Sequence, residues 1–514
     1  MRTDTLPSGR RGRLSGGLGS RGVALLVLLL VAPTGLMALL RLFPRLDVLF
    51  ESPTFHLVVV SAIAGCALLV ALAATVVAAR TRHPSLVLLS LGCLSIGVLM
   101  VGHGLTTPGI LGRPFNMWVA RFPVLAMTLF ALCLAGVLAG ERSWLHRLLG
   151  RYPRAALLGG LAALAGGTAV IVARPDLLAD PLPGESMLAT GVVVAVGLLF
   201  LVTGALYWGR WRLGRDRVEL ALVISAWLSA DALLSFQLGQ LWHVSWWDYH
   251  AYLLAGFAAA AWAVLVGFRR TRSVAGAVAS ISVRDPIEHI SRSYPEALHA
   301  LVGAVEAKDR YTHGHSSRVA ELSTRIGLHM GLDPESLRAL SKGAVLHDIG
   351  KIGVPDDVLN KPASLSDQEW EWIRNHPVAG WEMARRASSL TDALVVVRHH
   401  HERWDGSGYP DALAGDRIPL GARIATLADV WDALTSDRAY RPAWTAEDAL
   451  SHIVAGRGTL FDPQCVEAFV DLMSERGITE GRPEIDGRVL AAAREACHTG
   501  RSGSRRVARG RRGR

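Results

Sequence analysis

The sequence predicts an all-α protein in two parts: a polytopic helical membrane domain of about eight spans, then an all-helical soluble bundle. Three observations lead there. Between residues 23 and 268, long apolar stretches alternate with short basic connections, so the 51% hydrophobic and 19% charged composition is an average over two unlike halves. From about residue 285 the composition is that of an ordinary soluble domain, and apolar residues recur at three-and-four spacing, the repeat of a helix with one buried face. Runs of strand-like alternation are scarce. The 514 residues suffice for about three or four domains.

Taken in order, Met1 to Gly22 is polar and rich in arginine and glycine, a cytoplasmic arm by composition. The apolar run Val23 to Leu40 could pass for a secretory leader. No small-residue cleavage site clearly follows it and more apolar runs come after it, so it reads as a retained first span. Segments near 23–40, 57–79, 86–104, 122–140, 155–173, 187–208, 218–236 and 251–268 each approach the roughly 20 residues that cross a bilayer as a helix. The alternative, buried helices of a large soluble protein, fits poorly with Leu57 to Ala79, which holds no charged residue.

Charge in the connections sets the orientation. One set of loops holds Arg80 and Arg82, then Arg142, Arg147, Arg151 and Arg154, then Arg210, Arg212, Arg215 and Arg217, then Arg269, Arg270 and Arg272. The alternate loops hold Arg41, Arg45, Arg113, Arg121 and Arg174. The arginine-rich side is expected in the cytoplasm, which puts both termini there and the chain in the inner membrane. Much of the net charge of +10 belongs to this pattern and to the two tails, so a nucleic-acid partner is not expected. Cys66, Cys93 and Cys133 lie in apolar stretches and Cys465 and Cys497 in the soluble part, with no C-x-x-C pair. No disulfide framework is implied.

Ionisable groups inside spans are functional candidates. Here they are His103, Asp231, His243 and His250, the last two flanking Trp242, Trp246 and Trp247. His103, His243 and His250 gathered around a metal or haem would make this half a sensor. The plainer reading, preferred on sequence, is interfacial histidines in an aromatic belt with Asp231 lining a polar seam. The linker, 269–293, leads into Ile287, Ile290, Tyr294, Leu298, Leu301 and Val305 at helical spacing. That stripe suits pairing in a homodimer or packing as the first helix of the soluble domain, with Pro295 kinking or restarting it.

In the soluble domain, 294–475, helical patterns cover Ala304–Met330, Pro334–His347, Asp367–Asn375, Ala379–Ala387 and Thr391–His401. Ser366 followed by Glu369 is a capping-box start. The stretch His399 to Pro410 packs three imidazoles with Glu402 and Asp405, then turns on Gly406 and Gly408. Adjacent histidines are costly to bury unless a cation uses their lone pairs. In order along the chain, the candidate ligands are His315, His347, Asp348, His376, His400, His401 and Asp429. Five imidazoles and two carboxylates exceed one tetrahedral zinc and suit two ions sharing a bridging carboxylate. Each residue alone reads as a cap or a surface group; the ordered set does not.

This set resembles the HD-GYP family, a branch of the HD superfamily of metal-dependent phosphohydrolases. The motifs that carry the resemblance are H-D-I-G-K at 347–351, H-P-V-A-G at 376–380, H-H-E-R-W-D-G-S-G-Y-P at 400–410 and A-D-V-W-D-A-L-T-S-D-R-A-Y-R at 428–441, within about Tyr294 to Leu472. The resemblance implies that His315, His347, Asp348, His376, His400, His401 and Asp429 hold two divalent ions, iron or manganese, with zinc compatible. It implies Asp348 as the bridge and Lys351 on a substrate phosphate. Gly408, Tyr409, Pro410, Arg438 and Arg441 would be near the nucleotide. Tyr311 stands where some members place a glutamate for a third metal, so two are expected; His399 is read as a neighbour of the ligands. The implied activity is hydrolysis of cyclic di-GMP to pGpG, GMP or both by a two-metal mechanism. The tail, 476–514, ends in arginines and is expected to be disordered or held against anionic lipid. Competing functions are a non-catalytic cyclic-dinucleotide receptor, which has less reason to keep Asp348 and Lys351, and a transporter, which would show broken helices in matching positions.

Overall fold

The computed structural model describes residues 20–110, 117–139, 143–174, 187–282, 285–292, 294, 296–309, 314–437, 442–476 and 485–497. The arm before Ser20, most of the basic tail, Pro295, Tyr311, Arg438 and Arg441 lie outside the described residues. Two compact units divide the chain, one from Ser20 to His289 and one from Ile290 onward. Among the described residues both are helical, without a β-strand.

The first unit contains α1 (Ser20–Leu42), α2 (Pro53–Thr81), α3 (Pro84–Thr106), α4 (Trp118–Leu138), α5 (Trp144–Arg151), α6 (Pro153–Ala173), α7 (Met187–Gly214), α8 (Arg217–Leu238), α9 (Val244–Thr271) and α10 (Val274–Ser282). Pro53, Pro84 and Pro153 open their helices at the first turn, where the missing N–H costs nothing and the ring pre-sets φ. Asp216 caps α8, accepting from the N–H groups of Val218 and Glu219. α2 and α9 both stop on an arginine in the left-handed region, Arg82 and Arg272.

Seven of these helices are long and apolar enough to cross a membrane. The first of the eight expected segments is helical, but its described apolar part is shorter, Leu30–Leu42. α3 sits centrally, packed on α2, α4 and α6, around the fully buried Phe122, Phe130, Phe200 and Phe257. Only 17% of the apolar window of α6 is buried against 78% for α3, and Leu158, Val170, Val194, Leu198 and Val202 lie exposed on α6 and α7. Apolar surface on that scale is costly in water and suggests a multi-pass membrane region.

The second unit's helices begin with α11 (Pro286–Arg292), whose first turn belongs to the first unit, and continue with α12 (Glu296–Lys308), α13 (His315–His329), α14 (Pro334–Leu346), α15 (Asp356–Leu359), α16 (Asp367–Ala384), α17 (Leu394–His399), α18 (Leu420–Thr435), α19 (Ala446–Ala455) and α20 (Pro463–Arg476). Its core gathers Val319, Ile326, Leu337, Leu340, Val397, Ile424, Trp431, Leu450 and Phe469. The sequence pattern Ala304–Met330 is not one helix: α12 ends before Asp309, and α13 starts after Gly314, whose φ of 70° is left-handed. The reverse holds at 367–384, where two patterns form the single helix α16 running through Pro377. Ser366 and Glu369 do form a capping box at its start. All five cysteines are unpaired.

Candidate metal centre

Three helix ends, two helix faces and a 3-10 turn converge in the second unit. α13 supplies His315 from its first position, and the C-terminus of α14 runs directly into His347 and Asp348. A 3-10 turn, Ile349–Gly353, carries Lys351. α16 supplies His376, the end of α17 supplies His400 and His401, and α18 supplies Asp429. His315, His347, Asp348, His376 and His400 are buried.

The H-P-x-x-G motif has a local logic. A proline at 377 cannot give its N–H to the carbonyl of Ile373, four residues back. The Nδ1 of His376 takes that carbonyl instead, at 2.6 Å. His347 and His400 use the same device at chain turns, donating from Nδ1 to Ala344 O at 2.7 Å and to Val397 O at 2.9 Å. A carbonyl only accepts, so each Nδ1 carries the proton and each Nε2 presents a lone pair. Gly350 lies against α16 so closely that a Cβ on it would meet His376 O at 1.9 Å and Gly380 N at 2.6 Å. The glycines of H-D-I-G-K and H-P-V-A-G therefore let two backbones touch and fix Asp348 against His376.

The Nε2 atoms converge on one another and on the Asp348 carboxylate. His376 Nε2 and His400 Nε2 are 3.2 Å apart, with no proton between them once both Nδ1 atoms are protonated. His347 Nε2 is buried without a hydrogen-bond partner. Such an arrangement suits a shared cation. The groups able to hold one are His376 with His400 and His401, His315 with His347 and Asp429, and His347 with Asp348 and His400.

Asp348 stands between them. Its Oδ1 is 3.2 Å from His376 Nε2, while its Oδ2 is 3.3 Å from His347 Nε2 and 4.0 Å from His315 Nε2. Asp429 Oδ1 is 3.3 Å from His315 Nε2 and 3.9 Å from His347 Nε2. Lys351 Nζ lies 2.8 Å from Asp348 Oδ2 and 3.1 Å from Asp309 Oδ2.

Electrostatics divides the pocket. Burial among other imidazoles holds His400 well below the ordinary histidine range and His401 at about 3, so both stay neutral. Burial opposes charge on Asp348 and Asp429 too, but neighbouring histidines, and Lys351 beside Asp348, outweigh it and hold both carboxyls well below their usual range. Burial likewise opposes charge on His315, yet hydrogen bonds to Asp429 and Asp432 raise it to about 9. The acidic side thus draws positive charge onto His315, the charge a metal ion would supply.

The expected ligand residues meet in one pocket. Sequence reasoning missed Asp432 and Asp309. Asp432 Oδ2 accepts from His315 Nδ1 at 2.8 Å, and its two oxygens accept from Arg318 Nε and Nη2 at 2.8 and 2.9 Å. The signal was present, since Asp432 follows Asp429 by one helical turn and shares its face. His399 turns away from the pocket, its Nδ1 3.5 Å from Asp411 Oδ2 and 3.8 Å from Glu402 Oε1. Buried Glu402 accepts from Asp411 N at 2.8 Å and Leu413 N at 3.1 Å and so shapes the loop after Gly408. On that loop Tyr409 is half-buried, its ring 4.9 Å from that of His401.

In the first unit, His103 and His250 do come together, but the third partner is His56, with Nε2 atoms 2.8 to 3.4 Å apart. His243 caps α9 and turns to Leu241 O at 3.1 Å. α2 begins beside the start of α9, which is why His56 takes the place expected of His243. Asp231 lies apart from the cluster and accepts from Thr34 Oγ1 at 2.6 Å.

Comparison with known proteins bears on the second unit. A cyclic di-GMP phosphodiesterase response regulator of Xanthomonas campestris pv. campestris is 43% identical over 178 residues, 34% of this chain and 47% of that protein. A cyclic di-GMP phosphodiesterase of Pseudomonas aeruginosa is 39% identical over 225 residues, 43% of this chain and 53% of that protein. A 3′3′-cGAMP-specific phosphodiesterase of Vibrio cholerae is 38% identical over 182 residues, 35% of each chain. The chain spans about half the length of the first two of these curated relatives. Residues 301–465 match the family model described as HD domain, and the helices that gather these histidines and aspartates therefore form an HD domain.

Proposed function

We propose that the chain is a membrane-anchored, metal-dependent phosphodiesterase that hydrolyses cyclic di-GMP to pGpG, GMP or both. The observation that carries this reading is Asp348, whose two oxygens each face a different imidazole set. One ion would be held by His376, His400, His401 and Asp348 Oδ1, and the other by His315, His347, Asp429 and Asp348 Oδ2. Nitrogen-and-carboxylate ligation suits iron or manganese and is compatible with zinc. When bound, such a pair makes water nucleophilic near neutral pH and offsets charge on a phosphoryl group.

The chain's own residues do the rest. Nδ1–carbonyl bonds lock His347, His376 and His400 in the ligating tautomer. Asp309 and Asp348 hold Lys351 charged, and its remaining N–H is free to bind a substrate phosphoryl oxygen. The half-buried ring of Tyr409 offers a face on which a guanine can stack, with Gly408 and Pro410 framing it. Arg438 and Arg441 are assigned to the nucleotide as well. The domain plan in this reading is an arm, 1–22, a membrane domain, 23–268, a linker, 269–293, the HD-GYP domain, 294–475, and a basic tail, 476–514. Both termini and the catalytic domain face the cytoplasm from the inner membrane. Ile290, Tyr294, Leu298 and Val305 are buried within the single chain, with Tyr294 hydrogen-bonded to Ser341, which supports packing of the stripe on the soluble domain over its pairing in a homodimer; the membrane domain sets the activity.

The test is to purify the full chain anaerobically in detergent with iron or manganese and resolve the products formed from cyclic di-GMP by chromatography. Formation of pGpG or GMP supports the reading. Bound dinucleotide without product, in a metal-loaded chain, would replace it with a non-catalytic receptor.

A further inference from the structure

The three histidines of the first unit form a second convergent centre, far in sequence from the HD motifs. His56 lies one turn into α2, His103 one turn before the end of α3, and His250 near the start of α9, so all three occupy one end of the helix bundle. None exposes more than 1% of its surface. Their Nε2 atoms form a triangle with sides of 2.8 Å (His56–His250), 3.0 Å (His56–His103) and 3.4 Å (His103–His250). Ligands at ~2.0–2.1 Å from a tetrahedral zinc lie about 3.3 Å from one another, and the triangle brackets that spacing.

Protons settle much of the chemistry. His103 Nδ1 is 2.6 Å from Val119 O, a pure acceptor, so the proton of a neutral imidazole is there. Thr107 donates its hydroxyl to His103 O at 3.0 Å. Its oxygen is then left to accept from His56 Nδ1 at 3.1 Å, which places that proton too. His56 and His103 therefore face each other at 3.0 Å with two lone pairs. Tyr249 Oη stands 3.0 Å from His103 Nε2, as hydrogen-bond donor or fourth ligand. Without an ion, the Tyr249 hydroxyl can serve His103 and a proton on His250 Nε2 can serve His56; a cation at the centre engages all three Nε2 atoms at once.

The surroundings select the ion. No carboxylate belongs to the set, which disfavours magnesium, calcium and manganese, whereas imidazole suits zinc, copper, iron and nickel, of which copper binds most tightly and zinc takes three-histidine tetrahedral sites. Trp246 packs its ring 4.5 Å from His250 and 5.1 Å from His56, and Trp242 and Trp247 stand within 6 Å of His56. That apolar wall keeps bulk water from the nitrogens.

We propose that His56, His103 and His250 hold a single copper or zinc ion inside the membrane unit. Thr107 and the Val119 carbonyl fix two of the three ring orientations, and Tyr249 adjoins the fourth coordination position. The experiment uses the full chain in nanodiscs carrying Asp348→Ala and His400→Ala, so that the HD pocket no longer competes. After stripping with chelator, it is loaded with Cu(II) or Zn(II), desalted and assayed for bound metal. One ion per chain is expected, with paramagnetic resonance of the copper form coupled to three imidazole nitrogens and X-ray absorption of the zinc form showing imidazole scattering. Adding His103→Gln or His250→Gln is expected to remove it with helical circular dichroism unchanged. A folded chain with all three histidines that retains no ion would overturn the proposal, as would spectra lacking imidazole ligation. An ion kept undiminished after His103→Gln would also overturn it. If the glutamine chains do not fold, the retained ion and its spectra in the chain with native histidines decide alone.

Discussion

The molecule holds two clusters of buried histidine that solve the same problem by different means. In the HD pocket, Asp348 and Asp429 lie among the imidazoles, so the protein supplies counter-charge and can hold two ions close together. In the first unit the cluster is imidazole only, so it can sustain one ion at most before uncompensated charge becomes prohibitive. In both, Nδ1 protons are tied to oxygen acceptors, and the ring nitrogens facing inward are left as lone pairs. Counter-charge, more than histidine count, separates a pocket suited to two ions from one suited to a single ion.

The sharpest way to break the comparison is Asp348→Ala. Cyclic di-GMP hydrolysis by the full chain is expected to fall to background and metal content in the HD pocket to collapse, read by product chromatography and elemental analysis. Near-normal turnover would remove the bridge. Next in size is Gly350→Ala, whose new methyl would sit 1.9 Å from His376 O. Overpacking typically costs about 1–3 kcal/mol, and a backbone contact this short is expected at the upper end or beyond, with weakened metal retention; denaturant melting of the catalytic unit is the check. Asp432→Asn removes the charged acceptor that orients His315. Loss of an outer-shell partner typically costs about 10–100-fold in metal affinity or activity, and isothermal titration of the apo chain with Mn(II) would read it. Thr107→Val should act on the other cluster alone. Copper or zinc affinity there is expected to drop about tenfold, at the low end of that range, while manganese retention in the HD pocket stays unchanged. The smallest effect is expected from Pro377→Ala: the restored N–H competes with His376 Nδ1 for Ile373 O, so metal affinity should fall only a few-fold while α16 becomes more stable.

What was legible in the sequence follows from how locally each feature is encoded. H-D-I-G-K, H-P-V-A-G and H-H-E each keep ligand and positioning device within five residues, so the pocket could be read almost whole. Asp432 was overlooked because its role exists only across α13 and α18. The membrane cluster was harder, since its three histidines come from distant helices. His243 looked right beside the tryptophans, but helix order, not chain proximity, chose His56. The break at Gly314 was hidden because apolar spacing on α12 and α13 continues in phase on either side. The unbroken course of α16 was hidden because a proline usually ends a helix, and here its cost is offset by the histidine bond to the orphaned carbonyl.

One further consequence lies in the length of α9. Its 28 residues span about 42 Å at 1.5 Å per residue, against a hydrocarbon core of about 30 Å. Tilt alone would have to exceed 40° to hide it, at the edge of what spanning helices adopt. In a bilayer, a helix of this length outreaches the hydrocarbon core, with Arg269 and Arg270 suited to the headgroup layer at one end and His250 near the other. A rod does not absorb displacement. A small piston stroke or swivel where His250 sits is delivered at full amplitude to the turn at Arg272, a lever arm already built before any linker needs to bend.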